Sequence, residues 1–257
     1  MRRVAATLGR YVLPAIVALG ATVGTSSASL ASTGWPLPVA QAMKLVASRS
    51  RLVPLLAPRS IRDPIDHCRC YVGAKVESTR SSYMVNLEWT YVPLPPNSQE
   101  LAQPQYANTG DGGIIGSFGA TRYASADVAQ TKITALLRSP SPPPARRMTR
   151  TMWLIPGVRA KVWPKFGALT WRENGVGVLL TSPTFVPDYT LARQVADTIQ
   201  TLGYPSKDVA VDVDEGGDGE HTYVEWRVGA VLFMASNYHV ATAALQMATS
   251  MAPWSSR

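Results

Sequence analysis

The chain reads as an α+β protein, an antiparallel sheet with helices on one face, built from repeated strand–strand–helix units. Three observations lead there. Short apolar runs recur, several with two-residue alternation. Stretches with apolar residues at helical spacing separate them. Two stretches of the second half also match one another. Trp171-Arg172, an apolar run ending at Ser182 and a helical segment from Ala192 are echoed by Trp226-Arg227, a run ending at Ser236 and a segment from Ala244. Residues 83–89, ending in Trp89 and followed by a helical stretch at 125–138, read as a third, more diverged copy. A strand pair with one helix cannot bury its apolar face alone, so such units are expected to share one sheet.

The elements follow in order. Val39, Met43 and Val46 lie at i, i+4 and i+7 and predict a short helix to about Ser48. Leu52 to Leu56 reads as a strand stopped by Pro58. Tyr71–Glu77 and Ser82–Val92 are rich in β-branched and aromatic residues and predict two strands. Residues 93–113, with four prolines and a Gly-rich end, form a long loop. A strand over Ile114–Tyr123 follows, then a helix near 125–138 with Ser125 as N-cap. The run 139–147 carries Pro140, Pro142, Pro143 and Pro144 and favours extended polyproline geometry, which marks a linker. It separates an N-terminal α+β lobe, 32–138, from a C-terminal α+β lobe, 148–257.

In the second lobe, strands are expected near 150–155, 158–163 and 167–173. Asn174-Gly175 is the dipeptide a type I′ hairpin demands, with Val176–Ser182 as the return strand. Leu191, Val195, Ile199 and Leu202 mark one helical face, capped by Asp188 or Thr190 and ended by Gly203 and Pro205. Strands near 208–213, 222–228 and 230–236 come next, then a last amphipathic helix from Val240 to Met251. Alternation places Val224, Trp226 and Val228 on one face and Tyr223, Glu225 and Arg227 on the other, so Trp226 points at the helices.

The first 31 residues bear on location. Arg2, Arg3 and Arg10 flank an apolar run from Tyr11 to Gly24, and Ser29 and Ala31 stand at the −3 and −1 positions of a small-residue cleavage site. The run has 14 residues, short of the ~18 that a membrane span needs. Residues 1–31 are therefore read as a secretory signal peptide of a bacterial protein, placing the mature chain outside the cytoplasm. A membrane association is expected only through an uncleaved signal. Export excludes nucleotide-driven reactions, reduced-thiol catalysis and gene regulation. Removal of three Arg and no acid takes the net charge from +8 to +5. A basic exported protein is drawn to anionic partners such as teichoic acids, phospholipid heads or acidic polysaccharides. The cations are scattered and carry no nucleic-acid motif, so nucleic acid is not expected.

Three sets of residues are candidates for chemistry. His67, Cys68 and Cys70 gather soft ligands that suit copper or zinc, with Met84 as a further ligand; the competing reading is a small-ring Cys68–Cys70 disulfide. Asp212, Asp214 and Asp218 alternate through a Gly-rich stretch and resemble a calcium loop. Gly216 and Tyr223 stand where that loop needs an oxygen ligand and a bidentate Glu, and the competing reading is an acidic hairpin. Glu88 and Glu225 precede Trp at matching strand positions and suggest a carboxylate pair for hydrolysis. Gly116-Ser117-Phe118-Gly119 is not a nucleophile elbow, and no zinc-protease motif joins His67, His221 and His239. No catalytic residue or obligatory cofactor is assigned.

One segment carries a family resemblance. Leu154, Gly157 and Ala160, then Leu169, Trp171, Glu173, Asn174 and Gly175, then Leu191, Val195, Ala196 and Ile199 form a pattern. Over residues 152–202, extended to 251 through the repeat, it resembles an uncharacterised extracytoplasmic domain of Gram-positive anti-sigma factors and sporulation-associated lipoproteins. The chain departs from the lipoproteins in lacking a lipobox cysteine and from the anti-sigma factors in lacking a cytoplasmic N-terminal domain. The resemblance implies a sensing, binding or accessory role outside the membrane. The expectation is thus an exported, non-catalytic accessory or binding protein of the cell envelope, whose partner is an anionic cell-wall polymer or another envelope protein. The alternatives are an envelope hydrolase and a metal-handling protein using residues 67–70.

Overall fold

The computed structural model describes residues 34–61, 70–110, 113–136, 150–204, 208–216 and 219–255. The signal segment 1–31, the Pro-rich run 139–147 and the candidate ligands His67, Cys68 and Asp218 lie outside the described residues. Among the described residues no helix is long and apolar enough to cross a membrane.

Ten strands make one sheet. In chain order they are β2 (Tyr71–Ser78), β3 (Ser82–Thr90), β4 (Ile114–Arg122), β5 (Arg150–Ile155), β6 (Val158–Trp163), β7 (Ala168–Glu173), β8 (Val176–Thr181), β9 (Val209–Gly216), β10 (Gly219–Val228) and β11 (Val231–Asn237). In space they run β2-β3-β4-β11-β10-β9-β8-β7-β6-β5. Every pairing is antiparallel except β8 with β9, which is parallel. That one crossover is made by helix α3 (Tyr189–Thr201), as a parallel pair requires. The other helices are α1 (Leu37–Arg49), α2 (Ala126–Leu136) and α4 (Ala241–Thr249). Strands β1 (Leu56–Pro58) and β12 (Met251–Pro253) pair as a separate clip.

Local chemistry accounts for most boundaries. The Asp188 carboxylate accepts from the amides of Thr190 and Leu191 and starts α3. Ser125 Oγ accepts from Val128 N and starts α2. Asn174 and Gly175 both have positive φ, 49° and 84°, so the β7–β8 hairpin turns as a type I′. The strand expected over Leu52–Leu56 instead begins at Leu56 and includes Pro58, opposite Met251. A proline is tolerated there because the clip has only two strands, each with an edge free of ladder bonds. Tyr83 joins the clip to the sheet: its hydroxyl donates to Leu56 O and accepts from Leu56 N.

The main core lies on one face of the sheet, under α1, α3 and α4. Trp89, Trp171 and Trp226 are all buried in it, and Trp226 stacks on Phe233 with centroids 5.6 Å apart. Residues from both sides of the Pro-rich run share this core, and β4 pairs with β11 along seven residue pairs. The two expected lobes are thus halves of one sheet with one core.

Helices do not all sit on one face. Ile133 of α2 packs with Ala210 and Leu232, whose strand neighbours Val209, Val211, Val231 and Phe233 point into the main core. α2 therefore covers the opposite face, over β9, β10 and β11. The reason is steric. α4 already occupies the main face over β10 and β11, and the short turn out of β4 leaves α2 only the other side of the same strands.

Close backbone approach on both sides of β4 requires glycine, at Gly116 toward β11 and at Gly119 toward β3. A Cβ on Gly116 would collide with the Ser236 carbonyl oxygen, and one on Gly119 with the Tyr83 carbonyl oxygen. We expect Gly116→Ala to cost about 1–3 kcal/mol, the usual penalty of overpacking. Trp226→Ala is expected to cost about 3–5 kcal/mol, whereas Trp153→Ala, at a position 53% exposed, should change stability by no more than about 0.5 kcal/mol. Urea unfolding of the three variants checks the ranking.

Candidate functional site on the open face of the sheet

The face opposite α1, α3 and α4 carries α2 over β9, β10 and β11 and, over β2 and β3, the 3-10 turn Gln99–Ala102, whose buried Leu101 fills the space above Gly73 and Thr90. Strand register brings one residue from each strand into a row across this face. The row reads Thr151, Lys161, Thr170, Leu179, Asp212, Tyr223, Ser236, Ser117, Asn86 and Lys75. Nine of the ten are polar or charged, whereas the corresponding positions on the other face are the core. Two regions of this face differ in charge.

The first is carboxylate-rich. Asp212 lies opposite Tyr223, and Glu225 lies opposite Ala210, so the two acids are diagonal neighbours on β9 and β10. Such positions are about 7–8 Å apart. Burial raises Asp212 to about 6, with further help from the Asp214 charge. Burial raises Glu225 to about 7, with further help from Asp212. One oxygen of Glu225 is buried with no hydrogen-bond partner. Asp212 and Asp214 also line a pocket of about 440 Å³ with Phe166, Thr181, Ser182, Pro183 and Phe185. Thr181 Oγ1 donates to Asp214 at 2.9 Å.

The second is basic and aromatic. On β6, Val158, Ala160 and Val162 are buried and Arg159 and Lys161 are exposed, so Trp163, half-buried, shares the open face with the two cations. Trp153 on the edge strand β5 lies opposite Arg159, whose guanidinium sits 4.3 Å from the indole centroid. Arg172 of β7 is exposed and faces the same way, opposite Gly177. Trp163 Nε1 donates to Thr170 Oγ1 across the β6–β7 ladder.

The residues singled out by sequence fare unequally. Cys70 is disulfide-bonded and offers no thiolate to copper or zinc. Asp212 and Asp214 lie in strand β9, not in a loop, because the hairpin is tight: Gly216 pairs with Gly219. A strand holds them extended and cannot wrap them around calcium as a loop would. Glu220 of that stretch has a structural partner. Glu220 accepts from the Ala241 amide and Asn237 Oδ1 from those of His239 and Val240, which together satisfy the start of α4. Among the described residues no group of three or more His, Cys, Asp or Glu side chains could hold a metal. Glu88 and Glu225 do not form a pair either. Glu88 binds Lys75 at 2.8 Å, and β4 and β11 lie between β3 and β10, which separates the two acids by about 14 Å across the ladder alone. The acid beside Glu225 is Asp212.

Sequence reading missed Trp153, Trp163 and the Asp212–Glu225 pair. The alternation from Val158 to Trp163 carries a signal for Trp163. The carboxyl pair needed the register of a hairpin whose length the acidic, Gly-rich stretch disguised.

The raised carboxyls fix a pH dependence. Each binds its proton more tightly folded than unfolded, so its favourable contribution is present below about pH 4 and is lost as pH rises through about 6–7. Discounted for solvent screening, Glu225→Gln should stabilise the protein by about 1–2 kcal/mol at pH 8 and leave it unchanged at pH 4. Urea unfolding at the two pH values tests this; equal effects at both would mean that Glu225 is not desolvated.

No protein-family model matches this chain, and no curated protein or solved structure matches it.

Proposed function

We propose that the protein is an exported, non-catalytic binding or accessory protein of the bacterial cell envelope, and that the open face of its sheet is the working surface. One observation carries this reading. The sheet spends one face on the core; on the other, the β5–β7 end stays exposed at Thr151, Trp153, Arg159, Lys161 and Arg172, beside a polar middle that is half-buried or buried. Antiparallel sheets with one solvated face are ordinary, but an exposed indole beside guanidinium groups that form no ion pair among the described residues favours recognition. The secretory signal expected at residues 1–31, the basic charge and the resemblance over 152–202 point the same way.

The same reading treats residues 148–257 as two related strand–strand–helix units. In its favour are the matching orders β7–β8–α3 and β10–β11–α4 and the buried Trp171 and Trp226 on their first strands. The diverged third unit, β3–β4–α2, departs in sending its helix to the opposite face.

The test is retention on isolated Gram-positive cell walls. Binding should be saturable and should fall as salt rises, disappearing by about 1 M, where charges are screened beyond about 3 Å. Retention that is absent at low salt would sink the envelope-binding reading.

A second reading, an envelope hydrolase, is favoured by the Asp212–Glu225 pair. Two carboxyls with raised pKa at diagonal positions of neighbouring strands suit a general acid beside a base. If so, peptidoglycan incubated with the protein should release reducing ends, and Glu225→Gln should lower that rate at least a hundredfold. No release from the unmodified protein eliminates the hydrolase.

A further inference from the structure

We infer that the β5–β7 end of the open face binds an acidic polysaccharide, a chain of sugar rings that carry carboxylates. The inference rests on the binding reading above and adds the partner and the place.

The open-face positions of β5, β6 and β7 hold three cations, two indoles and no acid. Arg159, Lys161 and Arg172 form no ion pair with an acid among the described residues. The nearest acids on this face are on β9, with uncharged β8 between. Three like charges on neighbouring rungs repel, and nothing on their own strands relieves them. A polyanion laid across these rungs neutralises all three and releases its own counter-ions.

The indoles decide the kind of polyanion. Trp153 is 53% exposed, and the Arg159 guanidinium holds its ring from one side. Trp163 stands four residues further along β6, about 13 Å away. Lys161 lies midway between Arg159 and Trp163 on the same face. Beside the bulky groups the floor is low: Trp163 faces Ala168, and Arg172 faces Gly177. Aromatic faces separated by cations suit a polymer that alternates apolar ring faces with charge. Sugar rings present C–H faces to an indole, and carboxylates accept the paired N–H donors of a guanidinium. A bare polyphosphate would engage the cations and leave Trp153 in water.

The experiment is titration of the full chain with polygalacturonate, read by calorimetry and by indole fluorescence. Arg159→Glu with Lys161→Glu should weaken binding at least tenfold. Lys44→Glu with Arg49→Glu on exposed positions of α1 makes the same change in net charge on the other side of the molecule and should leave binding within twofold. Trp153→Ala should weaken it about fivefold while the unfolding midpoint stays put, and Trp153→Phe should restore most of the loss. Arg159→Gln with Lys161→Gln gives a milder pair should the charge reversal fail to fold.

The inference is overturned if polygalacturonate does not bind, or if the two charge-reversed pairs weaken it equally. It is also overturned if polyphosphate or a single-stranded oligonucleotide of equal charge binds as tightly. Wall retention separates this from the broader reading. Walls that hold Arg159→Glu/Lys161→Glu as well as the unmodified protein defeat the surface and keep the envelope role. Polygalacturonate binding that depends on Trp153, without any wall retention, keeps the surface and defeats the role.

Discussion

The pairing of β4 with β11 is the constraint on which the rest of the molecule depends. It runs from Arg122 opposite Val231 to Gly116 opposite Asn237 and turns two halves into one ten-stranded sheet. It also determines which sides are available. α4 follows β11 directly and takes the main face above β10 and β11, so α2, leaving β4 beside them, is displaced to the other face. Glycines let β4 approach its neighbours closely, Gly116 on the β11 side and Gly119 on the β3 side. Gly116 and Gly119 have backbone oxygens where a side chain would stand, and Ser236 Oγ accepts from the Ser117 amide at 3.0 Å inside the junction.

One consequence is a sheet face with charge sorted along it. The cations of β6 and β7 stand at one end, the carboxyls of β9 and β10 near the middle, and the rungs of β8 between them carry no charge. Had the cations stood on β8 beside Asp212, ordinary ion pairs would have returned the carboxyls toward their usual range. Instead burial first, and then a neighbouring carboxylate (Asp214 for Asp212, Asp212 for Glu225), raise Asp212 to about 6 and Glu225 to about 7. The two regions therefore offer different chemistry on one surface. One attracts anions; the other is partly neutral and sits beside an open pocket. Arg227, which follows Glu225 on the same face, is engaged by Asp208 at 2.9 Å and by Gln130 of α2, and so helps to dock that helix.

Much of the fold was legible in the residues, and the legible parts share a cause. Helix starts at Asp188 and Ser125, the Asn174-Gly175 turn and the inward aim of Trp226 all depend on groups a few residues apart. The site was less legible because its members meet only through pairing. Arg159 and Lys161 were present in an alternating strand, but that they face an indole from β5 depends on the β5–β6 register. Asp212 and Glu225 lie 13 residues apart in the chain and become neighbours only because the acidic stretch continues as strand. That stretch was expected to be a loop because Gly and Asp disfavour strands, and the ladder to β8 and β10 overrode their local preference.

The sequence by itself determined the class of the protein, the position of nearly every element and which side of each strand is apolar. These are nearest-neighbour properties of the backbone and of hydrophobic spacing. Tertiary structure alone decided that the halves share one sheet, that α2 sits apart from the other helices, and that cations, indoles and carboxyls face the same way. Strand order and helix placement are settled by competition for a limited area of apolar surface, and that competition is among residues far apart in the chain.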